Sequence, residues 1–171
     1  MAKAWEVPGL QTGAGFRDAA GRVILTRWRE MMSYREGTLL GADIEELHAM
    51  RVSSRRLRAA MDAFEGAFPA KSFRSLLRQV KEITDVLGAA RDLDVAVERL
   101  GATLLEMGDD ERAGLEGLIA RYRHDRALEA PRIAGLLARI DEERFERRLI
   151  AYVHKHTGVR MARLDPRPPN G

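Results

Sequence analysis

A chain of 171 residues with 45% hydrophobic content carries enough apolar surface for one buried core, which excludes a wholly disordered protein. The absence of cysteine excludes disulfides, thiolate metal sites and cysteine nucleophiles, and fits a reducing compartment. The net charge of +3, from 29 basic and 26 acidic residues, is too small for a global field to draw in nucleic acid. The placement of the charges, and the choice of arginine over lysine at all but four basic positions (Lys3, Lys71, Lys81, Lys155), therefore has to carry the argument.

Residues 1–15, with Pro8-Gly9 and Gly13-Ala14-Gly15, read as an extended arm. Apolar residues at steps of three and four (Phe16, Ala20, Val23, Ile24, Met31, Tyr34) predict a first helix from Phe16 to Leu40. Gly41-Ala42-Asp43 breaks it, with Asp43 as N-cap and Glu46 at the capping-box position of a second helix, Ile44 to Phe68, that stops before Pro69. A third helix is predicted from Lys71 to Leu87, with Gly88 just past its end, and a fourth from Arg91-Asp92 to Met107-Gly108. Asp109-Asp110 are positioned to cap a long fifth helix reaching Ile140, kinked or broken at Pro131. A sixth runs from Glu142 to His156, and the tail from Thr157 is expected to be disordered. No stretch alternates as a strand would. The fold class is all-α: an antiparallel four-helix bundle with two further C-terminal helices, in one domain over residues 16–156.

On the second helix His48, Arg51, Arg55 and Arg58 fall within an arc of roughly 80°, opposite Met50, Leu57, Met61 and Phe64. The third helix repeats the spacing with Lys71, Arg74, Arg78 and Lys81, and an acid, Asp62 or Asp85, follows the first member of each stripe by the same interval. Like charges at these spacings repel by a few tenths of a kcal/mol per pair. The pattern is reasonable as two solvated faces, or as two walls converging on a polyanion whose phosphate oxygens arginine can grip in pairs.

The string His48-Ala49-Met50-Arg51-Val52-Ser53-Ser54-Arg55-Arg56-Leu57-Arg58 resembles the HxxRVxxRRxR signature of the CHAD (conserved histidine α-helical domain) family. Leu87-Gly88-Ala89-Ala90-Arg91-Asp92-Leu93-Asp94-Val95 resembles that family's LGxxRDLDV segment, and the two occur in the family's order. The close resemblance spans residues 16–107, with Arg144-Phe145 weakly similar to a later helix. No second basic helix of the type HxxRIxxKxLRY follows Gly108, so the chain resembles one half of the usual two-bundle domain. The resemblance implies helical bundles whose basic residues line a polyphosphate channel. It assigns polyphosphate binding to His48, Arg51, Arg55, Arg56, Arg58, Lys81 and Arg91, with Asp92 and Asp94 orienting arginines from behind. Spacing alone adds Arg74, Arg78 and Arg27, the last of which sits in a core stripe and has the alternative of snorkelling outwards.

His48 either meets the ligand directly, which would make binding pH-dependent, or hydrogen-bonds and shapes the site. Arg91-Asp92-Leu93-Asp94 has the plainer alternative of capping the fourth helix, and Arg121, Arg123 and Arg126 read as a solvated face. No Walker loop, nucleophile elbow or metal-binding helix is present, and the expectation is a non-enzyme without metal or cofactor. The leading function is binding of inorganic polyphosphate in the cytoplasm, with association to polyphosphate granules. The alternatives are a nucleic-acid binder, which the sparse aromatics disfavour, and an accessory subunit of a phosphate-metabolising enzyme. A homodimer through the apolar faces of helices five and six is expected to supply the missing wall.

Overall fold

The structure, a computed structural model, describes residues 3–41 and 43–161, without the side chains of residues 109–111. The tail beyond residue 161, Ala42 of the first break and the Asp109-Asp110 caps therefore lie outside the described parts. The described residues are helical without a strand: α1 Phe16–Ser33, α2 Arg35–Leu40, α3 Ile44–Ala63, a 3-10 turn Glu65–Ala67, α4 Ala70–Glu106, α5 Asp109–Glu142 and α6 Phe145–Thr157. None of these helices is long and apolar enough to cross a membrane.

The five longer helices close a ring in which α1 packs on α3, α3 on α4, α4 on α5, and α6 returns from α5 to α1. The pairs α1–α3, α3–α4, α4–α5 and α6–α1 run antiparallel, while α6 carries on past Arg144 in the direction of α5 along α4. Arg126 reaches Asp94 and Arg139 reaches Glu82 across α5 and α4, while Trp28 of α1 packs at a tilt on Phe145 of α6 with ring centroids 5.0 Å apart. The ring encloses Ile24, Leu25, Trp28, Met50, Leu57, Met61, Phe73, Val80 and Ile83, all fully buried. At Gly21 a side chain would collide with Thr157 and Val159, so glycine is what lets the end of α6 lie this close to α1.

Four boundaries differ from the predicted ones, each for a tertiary or local reason. The first helix stops at Ser33, where Tyr34 leaves helical geometry (φ −93°, ψ 1°), and α2 resumes with Gly37 packed beneath Glu46. Glu46 is thereby drawn away from the capping box, although Asp43 does cap α3 by accepting from the Glu45 amide at 2.8 Å. The second helix ends at Ala63 and tightens into the 3-10 turn before Pro69. At the C-terminal end Arg144, in left-handed conformation (φ 51°), turns the chain from α5 into α6. Thr157 still belongs to α6, and Val159 and Met161 pack on the core, so the chain is ordered further than the expected tail boundary.

The predicted break at Gly88 is absent, and the fifth helix passes Pro131 as expected, without a break there. The third and fourth helices are one, because α4 passes straight through Gly88. Packing on α3 from one side and α5 from the other holds residues 87–91 helical, which outweighs the roughly 1 kcal/mol that glycine costs in a helix interior. A Cβ built on Gly88 meets nothing nearer than Arg51 Nε at 4.0 Å, an ordinary contact. Gly88→Ala is therefore expected to raise stability by about 0.5–1 kcal/mol, read as a shift in the urea unfolding midpoint.

Long helices leave an arm. α4 buries eight residues from Phe73 to Ala90 and none beyond, and no described side chain between Arg91 and Leu118 is buried. The apolar faces expected to pair two copies are for the most part internal: Ile133, Leu136, Leu137 and Ile140 of α5 and Phe145, Leu149 and Val153 of α6 belong to the core.

Candidate functional site

α3 is amphipathic because Leu47, Met50, Leu57 and Met61 recur on its core side, which turns Arg51, Arg55 and Arg58 towards α4 and solvent. On α4 the core residues Phe73, Leu77, Val80 and Leu87 likewise turn Arg74, Arg78, Lys81, Asp85 and Asp92 outwards along one stripe. Antiparallel packing then fixes the register between the two. Lys81 Nζ lies 3.4 Å from Asp62, Arg58 lies 3.5 Å from Asp85 and 3.9 Å from Asp62, and Arg51 lies 3.5 Å from Asp92. Steps of four and seven residues down α3 match the same steps up α4, so one polar seam runs along the contact.

The seam differs from the expected channel in a definite way. The two cationic stripes do not face each other; they meet end to end where Arg58 and Lys81 share Asp62, and each faces acids of the other helix. From Arg51 to Asp62 on α3, and on from Lys81 to Arg74 on α4, the cations cover about 27 Å at 1.5 Å per residue. Arg55 and Arg78 are exposed and have no ion pair among the described contacts, while Arg74 closes the far end on Glu65 at 2.9 Å.

The acids on the seam are exposed, Asp85 and Asp92 by 73% and 75%, and their pairs are mostly longer than a hydrogen bond. Such pairs are worth about 0–1 kcal/mol each, so a denser anion could displace them at little cost. Among the described residues, Arg51 Nε and, one turn away on α3, His48 Nδ1 are buried without a hydrogen-bond partner. A buried unsatisfied polar atom costs about 1–3 kcal/mol, and for the Arg51 Nε–H an incoming acceptor oxygen would recover it.

Two expected ligands are withdrawn from the site. Arg56 turns to α1 and holds Glu30 at 2.7 Å, and Arg27 pairs with the same carboxylate while donating to the Trp5 carbonyl at 2.8 Å. Glu30 is fully buried, so these arginines neutralise a core acid and pin the N-terminal arm. Sequence reasoning missed Glu30; its one local signal is the spacing of three from Arg27.

The second motif divides. Asp92 sits beside Arg51 as expected, whereas Asp94 accepts from Arg126 of α5 at 2.7 Å, which removes Arg126 from the expected solvated face. Arg91 lines a separate cleft of about 420 Å³ with Asp94, Arg123 and Arg126 rather than the seam. Neither motif residue caps a helix, since α4 runs through both.

A family model described as CHAD domain matches residues 22–168, so the match extends through α5 and α6 beyond the two motifs. No curated protein matches the chain. Motif, helical architecture and the extent of the match agree: the chain belongs to the CHAD domain family, which is associated with polyphosphate binding.

Proposed function

We propose that this protein binds inorganic polyphosphate, without catalysing its turnover, along the seam between α3 and α4. The observation that carries the reading is the single line of cations, Arg51, Arg55, Arg58, Lys81, Arg78 and Arg74, of which Arg51, Arg58, Lys81 and Arg74 are paired with exposed and replaceable acids. Arginine forks and a lysine ammonium meet the non-bridging oxygens of a phosphate chain, and no base or sugar is needed for the match. The pairing acids offset part of the positive charge of the seam, so that binding exchanges weak internal pairs for stronger phosphate contacts. Association with polyphosphate granules would follow from that affinity.

A line of this length predicts a particular dependence on the ligand. One phosphate touches a small part of it, whereas a long chain engages several cations and makes its later contacts intramolecularly, so affinity is expected to climb by orders of magnitude. Each neutralised phosphate also releases counterions, giving a falling log-log dependence on salt. Isothermal titration with phosphate, tripolyphosphate and long chains at two salt concentrations checks this. Equal affinity per molecule for tripolyphosphate and long chains would instead mean a compact pocket for a small phosphorylated ligand.

A further inference from the structure

The arm formed by the second half of α4 and the first half of α5 has apolar residues in helical register but no core of its own. Leu93, Val95, Val97, Leu100 and Leu104 are half-buried, Leu105 is 81% exposed and Leu118 37% exposed. An amphipathic helix is stable with its apolar stripe against another element, and a two-helix hairpin covers only the sides that its helices turn to each other. One outer groove of the arm, lined by Val95, Ala96, Leu100, Leu118 and Tyr122, is bounded along α4 by Asp92 and Arg99.

We propose that this groove is a self-complementary interface on which a second copy of the chain docks, with a two-fold axis crossing α4 near Val95-Ala96. The charges select a second copy over any other occupant. Asp92 and Arg99 stand seven residues apart on one face, two helical turns or about 10.5 Å along the axis, on either side of that small-residue centre. A two-fold axis through the centre lays the two α4 helices antiparallel and brings Asp92 of each copy to Arg99 of the other, as an isologous contact requires. Arg99 is exposed and has no ion pair among the described contacts, and Asp92 has only its long contact to Arg51, so both are available. Alanine at the centre lets the helices approach, while the leucines and Tyr122 supply the apolar flanks. The interface does not depend on polyphosphate being the ligand of the seam.

Sedimentation and light scattering at tens of micromolar should give a dimer for the unaltered chain. Arg99→Asp sets four acids around the axis and should weaken the dimer at least about tenfold, with helicity unchanged by circular dichroism. Ala96→Glu, which plants a charge at the centre, should do the same. Asp92→Arg alone should also be monomeric, and mixing it with Arg99→Asp should restore a mixed dimer, because each arginine then meets an aspartate. A monomeric unaltered chain, or a dimer indifferent to both Arg99→Asp and Ala96→Glu, would overturn the proposal, as would failure of the two charge variants to combine.

Discussion

Replacing Arg51, Arg55 and Lys81 together by alanine is expected to weaken long-chain polyphosphate binding by at least a thousandfold while leaving the helices intact. Each charge-assisted contact to phosphate contributes about 1–3 kcal/mol, and three of them lost from one line remove both those contacts and the continuity on which multivalent binding rests. The fold should tolerate the change, because the pairs that disappear, Arg51 to Asp92 and Lys81 to Asp62, are exposed and long. Asparagine at Asp62, Asp85 and Asp92 is the informative counterpart. If these acids compete with the ligand for the arginines, the triple asparagine variant binds more tightly; if they hold the arginines in position, it binds less tightly. The exposure of Asp85 and Asp92 favours the first outcome. Titration of both variants beside the unaltered protein measures it, and unchanged binding after the triple alanine replacement would remove the seam from consideration.

Removal of Glu30 should have the largest effect on stability of any single acidic substitution, about 3 kcal/mol, because it leaves two guanidinium groups without their shared counter-charge. Breaking a buried pair from one side commonly costs about 3–5 kcal/mol, and the lower end applies here since Arg27 and Arg56 keep 13% and 25% of their side-chain surface and can recruit some water. Glu30→Gln preserves the shape and isolates the charge. A second readout comes from Tyr34, whose hydroxyl is held above the ordinary 10.0 by burial first and then by the charges of Glu30 and Glu46. In Glu30→Gln the phenol should ionise at lower pH than in the unaltered protein, seen in the ultraviolet absorbance. Loss of stability without that shift would place the destabilisation in packing rather than in charge.

The stripe on α3 was legible from spacing because a helix fixes which of its own residues share a face, and Arg51, Arg55 and Arg58 do lie together towards α4. Asp62 and Asp85 were visible too, as acids at matching distances along two basic runs. What one dimension does not contain is the antiparallel register that sets Asp62 beside Lys81 and Asp85 beside Arg58, and so turns two facing walls into one extended line. Arg56 illustrates the same limit: it is one residue from the stripe, and 100° of rotation sends it to Glu30 on α1. Gly88 read as a helix end, and Pro131 as a kink or break within a longer helix, because their local costs are real. Packing of α4 and α5 along their length outweighs those costs, as tertiary contacts commonly override propensity.

The measurement that bears most directly on the account is a competition between long-chain polyphosphate, duplex DNA and single-stranded RNA for the unaltered protein at near-physiological ionic strength, about 0.15 M. A seam lined by arginine, lysine and aspartate is predicted to favour polyphosphate strongly over both nucleic acids, with that preference abolished in the Arg51, Arg55 and Lys81 alanine variant. DNA or RNA displacing polyphosphate at comparable concentration of phosphate groups would contradict it.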